Sequence, residues 1–148
     1  MLSELQAIFG TVILPRSVFD ELQDPGAPTA VRKWVASLPG WVAVKEASFT
    51  DPKLSTQLGL GETEAINLAV ELKADILLID DLPGRKAARD RGIPVTGTLT
   101  IVLQSAILSS VELERALNDL LRLGFRASDA VLDTIREEYR AIRQKQSR

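Results

Sequence analysis

Carboxylates are the main source of chemistry in this chain. Its 148 residues include no histidine and no cysteine. That removes the commonest general base, the commonest zinc ligand and every thiolate. Reactivity must rest on Asp, Glu, Lys, Arg, Ser, Thr or Tyr. Five acids stand where a site could use them. Asp80 and Asp81 close the apolar run Ile76-Leu77-Leu78-Ile79, Glu62 and Glu64 open the helical stretch before it, and Glu21 lies near the end of an earlier one. Oxygen donors without nitrogen or sulfur ligands suit a hard cation such as Mg²⁺ or Mn²⁺. Such an ion can activate water and stabilise charge on a phosphoryl group.

Each acid also has a structural reading. Asp81 precedes Leu82-Pro83 and can cap the next helix. Glu62 and Glu64 lie at a helix N-terminus, where acids are favoured anyway. Two residues apart on a helix, they cannot both face one point, so at most one is expected to be a direct ligand. Glu21 can be an ordinary surface acid. Asp80 is the strongest candidate, because an acid directly after four apolar residues at a strand end is costly without a purpose. Arg85, Lys86, Arg89 and Arg91 can meet phosphates or simply form a solvated helix face.

The elements that must position these residues can be read from periodicity. Leu2, Leu5 and Phe9 recur at helical spacing, and Gly10 can end that helix. Thr11-Val12-Ile13-Leu14 reads as a short buried strand, and Pro15 suits the start of a helix carrying Val18, Phe19 and Leu22. Residues 28–37 read as helix, 41–44 as a second strand, and 47–60 as a loop around a short helical turn. The stretch from Glu62 to Lys73 is apolar on more than one side and should be mostly buried. Residues 75–80 form the clearest strand, with the unbroken apolar run of a parallel strand covered on both faces. A basic helix over 85–91, a short strand at 94–96 and a helix over 98–108 come next. Leu113, Ala116, Leu117, Leu120 and Leu121 make one apolar stripe ended by Gly124, and Ser128 can cap a last helix. Strands alternating with helices predict an α/β fold with a parallel sheet, and ligands of such sheets bind beyond the carboxyl ends of the strands. One domain is expected over 1–148, with an α/β core at 1–109 and a helical pair at 110–148.

Composition narrows the class. The chain is 45% hydrophobic and 26% charged, an ordinary soluble balance. No apolar run approaches a membrane span of about 18 residues, and the first residues lack the pattern of a signal peptide. A cytoplasmic setting is the default. The net charge of −2 is unevenly placed, since residues 136–148 hold five basic groups against Glu137 and Glu138. A basic tail on an acidic body can touch phosphates, or it can be a solvated helix end where cations are favoured.

Several segments together resemble a known family. They are Ile13-Leu14-Pro15-Arg16-Ser17-Val18-Phe19-Asp20-Glu21-Leu22, Leu60-Gly61-Glu62-Thr63-Glu64-Ala65-Ile66-Asn67-Leu68-Ala69, and Ala74-Asp75-Ile76-Leu77-Leu78-Ile79-Asp80-Asp81. Gly92-Ile93-Pro94-Val95-Thr96-Gly97-Thr98-Leu99 and the ending Gly124-Phe125-Arg126-Ala127-Ser128-Asp129 complete the set. In this order they resemble the DUF3368 branch of the PIN-domain superfamily, over nearly the whole chain. The resemblance implies a three-layer, Rossmann-like fold and a cluster of acids holding Mg²⁺ or Mn²⁺. It implies ribonuclease activity on RNA. It also implies a relation to VapC-like toxins of type II toxin–antitoxin pairs, which pair with themselves and with an antitoxin. By position, Glu21, one of Glu62 or Glu64, and Asp80, with or without Asp81, match the family's acids.

The resemblance also carries a departure. Family members begin with a hydrophobic strand ending in Asp-Thr or Asp-Ser, whereas this chain begins inside the helix that comes after it. The expectation is therefore a domain lacking its central strand and first catalytic aspartate, and poorly active in this form. Two other classes remain open. A non-catalytic PIN-like binding or protein-interaction module keeps the fold without the chemistry. A receiver-like phosphoacceptor starts from Asp80-Asp81 but needs a lysine near the last strand, which Thr96-Gly97-Thr98 does not offer.

Overall fold

The computed structural model describes residues 2–109 and 112–147. Arg148, the last cation of the basic tail, and the side chain of Leu2 lie outside the described residues. Two compact units emerge, one over Phe9–Thr96 and the other made of residues up to Ile8 together with those from Gly97 onward. Among the described residues no helix is long and apolar enough to cross a membrane.

The first unit holds every strand. The alternation read from the sequence is present: β1 (Val12–Pro15), α2 (Arg16–Gln23), α3 (Thr29–Val35), β2 (Val42–Lys45), α4 (Pro52–Ser55), α5 (Leu60–Glu71), β3 (Leu77–Leu78), α6 (Leu82–Asp90) and β4 (Val95–Thr96), after the opening helix α1 (Leu2–Phe9). All pairing is parallel. Val12 to Pro15 run beside Val42 to Lys45, and Leu77-Leu78 beside Val95-Thr96. Parallel pairing needs a crossover of a dozen or more residues, which α2–α3 and α6 supply.

The single sheet expected from the sequence is not what forms. The strands make two separate pairs, β1–β2 and β3–β4. Among the described residues, each of the four strands therefore keeps one edge without a strand partner. The covering also differs from the reading that β3 is buried on both faces. Ile79, just past β3, is 6% exposed and packs with Ile66, Ala69, Leu54, Ala88 and Ile93, with Leu77 packed against this cluster. On the alternate positions, Ile76 is 40% and Leu78 51% exposed. Residues that alternate along a strand point to opposite faces, so one face is covered and the other is partly open. The three apolar residues of β1 are likewise only half-buried.

Helix α5 is the spine of this unit. It contacts α2, α4, α6, β1 and β3. Being approached from several sides, it needs apolar residues around much of its circumference. Gly61, Thr63, Ile66, Leu68 and Ala69 are buried. Its end is two residues earlier than the sequence suggested. Lys73 adopts φ +50, with its N–H on Val70 O and the Ala74 N–H on Ala69 O at 2.9 Å. That is the paired C-terminal bonding of a Schellman motif, with lysine where glycine is more usual. Gly10, at φ +68, closes α1 as expected.

The second unit is helical. Helices α7 (Thr98–Leu108), α8 (Leu113–Arg122) and α9 (Asp129–Gln146) enclose Val102, Leu103, Ala106, Leu113, Leu117, Leu132 and Ile135. Ser128 caps α9, accepting from the Val131 N–H at 3.4 Å, and Gly124 at φ +92 comes just after α8.

Candidate active site at the carboxyl ends of the strands

The segment leaving each strand places the candidate acids and their partners. Pro15 ends β1 and serves as the N-cap residue of α2, so Ser17 lies two residues beyond the strand. Ala47 lies two residues beyond β2, and Asp80 two beyond β3. These positions mark the carboxyl edges of the two strand pairs.

Glu64 reaches the first two. One carboxylate oxygen, Oε2, accepts both the Ser17 backbone N–H at 2.7 Å and the Ser17 hydroxyl. The other, Oε1, accepts the Ala47 N–H at 3.3 Å. Two further residues of α5 continue the pattern. Glu71 takes the Ser48 N–H at 2.9 Å and its hydroxyl at 2.7 Å, which holds its carboxyl below the ordinary value. Asn67 Oδ1 accepts the Asp51 N–H at 3.4 Å.

The other acids separate into different roles. The carboxylate of Glu62 folds back over Gly59, the N-cap of α5, into the space a side chain there would fill. This is the third-position acid of a helix start. Glu21 is exposed, yet it reaches the same turn. A Cβ on Gly61 would lie 3.7 and 3.8 Å from its carboxylate oxygens and 3.2 Å from Val18 Cγ2. The absence of a side chain at Gly61 lets α2 approach the first turn of α5. Asp81 is the N-cap of α6, with Oδ2 accepting the Gly84 N–H at 2.7 Å. Asp80 is exposed beside it.

The basic groups are largely engaged inside the protein. Arg85 donates to Ile79 O at 3.3 Å, and Lys86 pairs with Asp90 at 2.6 Å. Arg91 pairs with Asp51 at 2.6 Å across forty residues. This bond, with the Lys53 N–H, holds the Asp51 carboxyl below its ordinary range. Arg89 is exposed. In the tail, Arg136 grips Glu114 and Asp133. Arg143 stacks 5.5 Å from the Tyr139 ring and donates to Ala106 O at 3.2 Å.

The structure therefore sets Glu62 and Glu64 in the opening of α5, facing different neighbours, with Glu21 beside Gly61, and it sets Asp80 and Asp81 together after β3. It does not bring three of them to one point. Among the described residues, no group of three Asp or Glu side chains is arranged to hold a metal ion. Two of the acids cannot offer both carboxylate oxygens to Mg²⁺ or Mn²⁺ in this arrangement. Three hydrogen bonds already occupy Glu64, and Asp81 spends one oxygen on its helix cap.

Sequence reasoning did not single out Ser17, Asn67 or Glu71. Ser17 sits in one of the segments that carry the family resemblance, but its partner is 47 residues away, and no local pattern reports that distance. Glu71 reads as an ordinary exposed acid near a helix end.

No curated protein and no solved structure gives a significant match to the chain. A family model described as a PIN domain, DUF3368, matches residues 1–140. The match takes in both strand pairs, α5 and all five candidate acids, and bears out the resemblance read from the sequence: the chain belongs to the PIN-domain family.

Proposed function

We propose that the chain is a metal-dependent endoribonuclease domain acting in the cytoplasm, and that residues 2–147 as arranged here are a poor catalyst. PIN domains are generally nucleases and typically use divalent metals, so hydrolysis of a phosphodiester is the family's chemistry. The observation that carries the reading to this chain is the placing of Glu64, in the opening of α5 near Glu21, against the segments leaving β1 and β2. Acids at the carboxyl edge of parallel strands are where an α/β fold places its ligands. Poor catalysis is expected from the lack, among the described residues, of a three-acid group. RNA as substrate, a role as the toxin of a type II pair, self-association and an antitoxin partner belong to the same proposal. Exposed Leu60, Val70, Ile76, Leu78 and Leu82 offer apolar surface for such partners.

A second reading has its own support. The commitment of Glu64 and Asp81 to protein N–H groups favours a non-catalytic binding module. One experiment separates the two. Mn²⁺-dependent cleavage of a structured RNA is measured for this chain, for a form with an additional N-terminal strand ending in Asp-Thr, and for that longer form carrying Asp80→Asn. The nuclease reading expects weak cleavage by the first, strong cleavage by the second and none by the third. No cleavage by any form selects the binding module. Normal cleavage by the Asp80→Asn form removes Asp80 from the site.

A further inference from the structure

We infer that Glu64 is a positioning residue, whose carboxylate fixes the two segments that leave β1 and β2, and that in this arrangement it cannot chelate an ion through both oxygens. What this edge of the fold does rests on the nuclease reading, and what Glu64 does rests on its hydrogen bonds alone.

An ionised carboxylate offers about four acceptor sites, two on each oxygen. Oε2 uses both, on the Ser17 N–H and the Ser17 hydroxyl. Oε1 uses one on the Ala47 N–H. A single direction remains, so Glu64 cannot chelate an ion through both oxygens without releasing Ser17. The donors are groups that need a partner. Backbone N–H groups just past a strand end have left the ladder, and Ser17 lies in the first turn of α2, where N–H groups lack a helical acceptor. Bonds of such donors to a charged acceptor are the stronger class.

The same face of α5 repeats the arrangement. Glu64, Asn67 and Glu71 are spaced by three and then four residues, which aligns them along one side of a helix. They accept the N–H groups of Ala47, Asp51 and Ser48 in turn. The chain leaving β2 is thus bound to α5 at three points, and the chain leaving β1 at Ser17. Glu64 joins both just past the point where the β1–β2 ladder ends, so the course of the two segments there depends on its charge and length.

The test uses this chain in metal-free buffer with EDTA, so nuclease activity does not enter. Glu64→Gln, Ser17→Ala, the double variant and Asp80→Asn are compared by thermal unfolding and by NMR of the backbone amides. A glutamine has one acceptor oxygen and an amino group, so it must abandon either Ser17 or Ala47. One of those two amides should exchange with solvent roughly 10- to 100-fold faster in Glu64→Gln, and its proton should move upfield as the charged acceptor is lost. Both single variants should lower Tm, on the order of 5 °C for Glu64→Gln, and the double variant should lose less than the sum. Asp80→Asn should leave both amides unchanged. Unchanged exchange at both amides in Glu64→Gln overturns the inference. So does a raised Tm, which relief of repulsion among crowded ion ligands would produce. If Glu64→Gln fails to fold, Ser17→Ala decides. It should fold with a lower Tm and a still-protected Ala47 amide, and an unchanged Tm refutes the clamp. Failure of the ribonuclease reading would show only in the cleavage assay.

Discussion

Replacing Ile66 by alanine should be the most damaging single change to the helix that carries Glu62 and Glu64. Ile66 is fully buried, at 0% exposure, in a cluster with Leu54, Ala69, Ile79, Ala88 and Ile93. Those neighbours come from α4, α5, α6 and the segments flanking β3 and β4, so a void there loosens α5 against most of the elements around it. Removing the outer carbons of a buried isoleucine costs about 2–5 kcal/mol, the transfer and cavity terms together. Alanine recovers about 0.4 kcal/mol in helix propensity. The net expectation is about 3 kcal/mol, a large share of the roughly 5–15 kcal/mol typical of a domain. At about 2–4 °C per kcal/mol for a chain near this size, Tm should fall by roughly 10 °C. Ile66→Val removes one methyl group and should cost about 0.5–1.5 kcal/mol. Both tryptophans, Trp34 and Trp41, lie in the Phe9–Thr96 unit, so denaturant unfolding followed by tryptophan fluorescence reports on this unit. A loss below about 1 kcal/mol for Ile66→Ala would show that the cluster is not the packed core of the unit, and α5 would then not be its spine.

Two other outcomes are expected. Asp81→Ala should cost about 1 kcal/mol by removing the cap of α6, while Asp81→Asn, also a good cap, should cost little; equal large losses in both would give the charge of Asp81 another role. Acid should destabilise the protein through Asp51, Glu71 and Glu114. Arg91 holds the first below its ordinary 3.8, and Ser48 and Arg136 hold the other two below 4.5. A carboxyl lowered in the folded state gives stability that is complete above its unfolded value and is lost as pH falls through the folded one. Tm should therefore be level near neutral pH and decline below about pH 4.5, with a shallower decline in Glu71→Gln. A Tm that holds steady to about pH 3 would contradict the three contacts.

The sequence by itself determined the order and kind of the elements, because that information is local. Unbroken apolar runs marked strands at 12–15 and 77–78, apolar residues on several sides marked the buried α5, and 3.6-residue periodicity marked α8 and α9. Ser128 marked a helix start through its hydroxyl, and Gly124 a helix end through the positive φ that the lack of a Cβ allows. It also identified the family, since five short segments in order are specific even where each is weak. Which of Glu62 and Glu64 meets the segments leaving the strands was not legible, because both occupy one helical turn and the difference lies in what approaches from elsewhere. Tertiary structure decided it. Ser17 and Ala47, 47 and 17 residues away, converge on Glu64, while Glu62 turns back over Gly59. The cap that the sequence allowed at Asp81 is made, with the Gly84 N–H donating to it. Strand pairing was likewise beyond local reading. Apolar runs state that a strand forms, but only three-dimensional adjacency states which edges meet, and here β1 joins β2 and β3 joins β4 without closing one sheet.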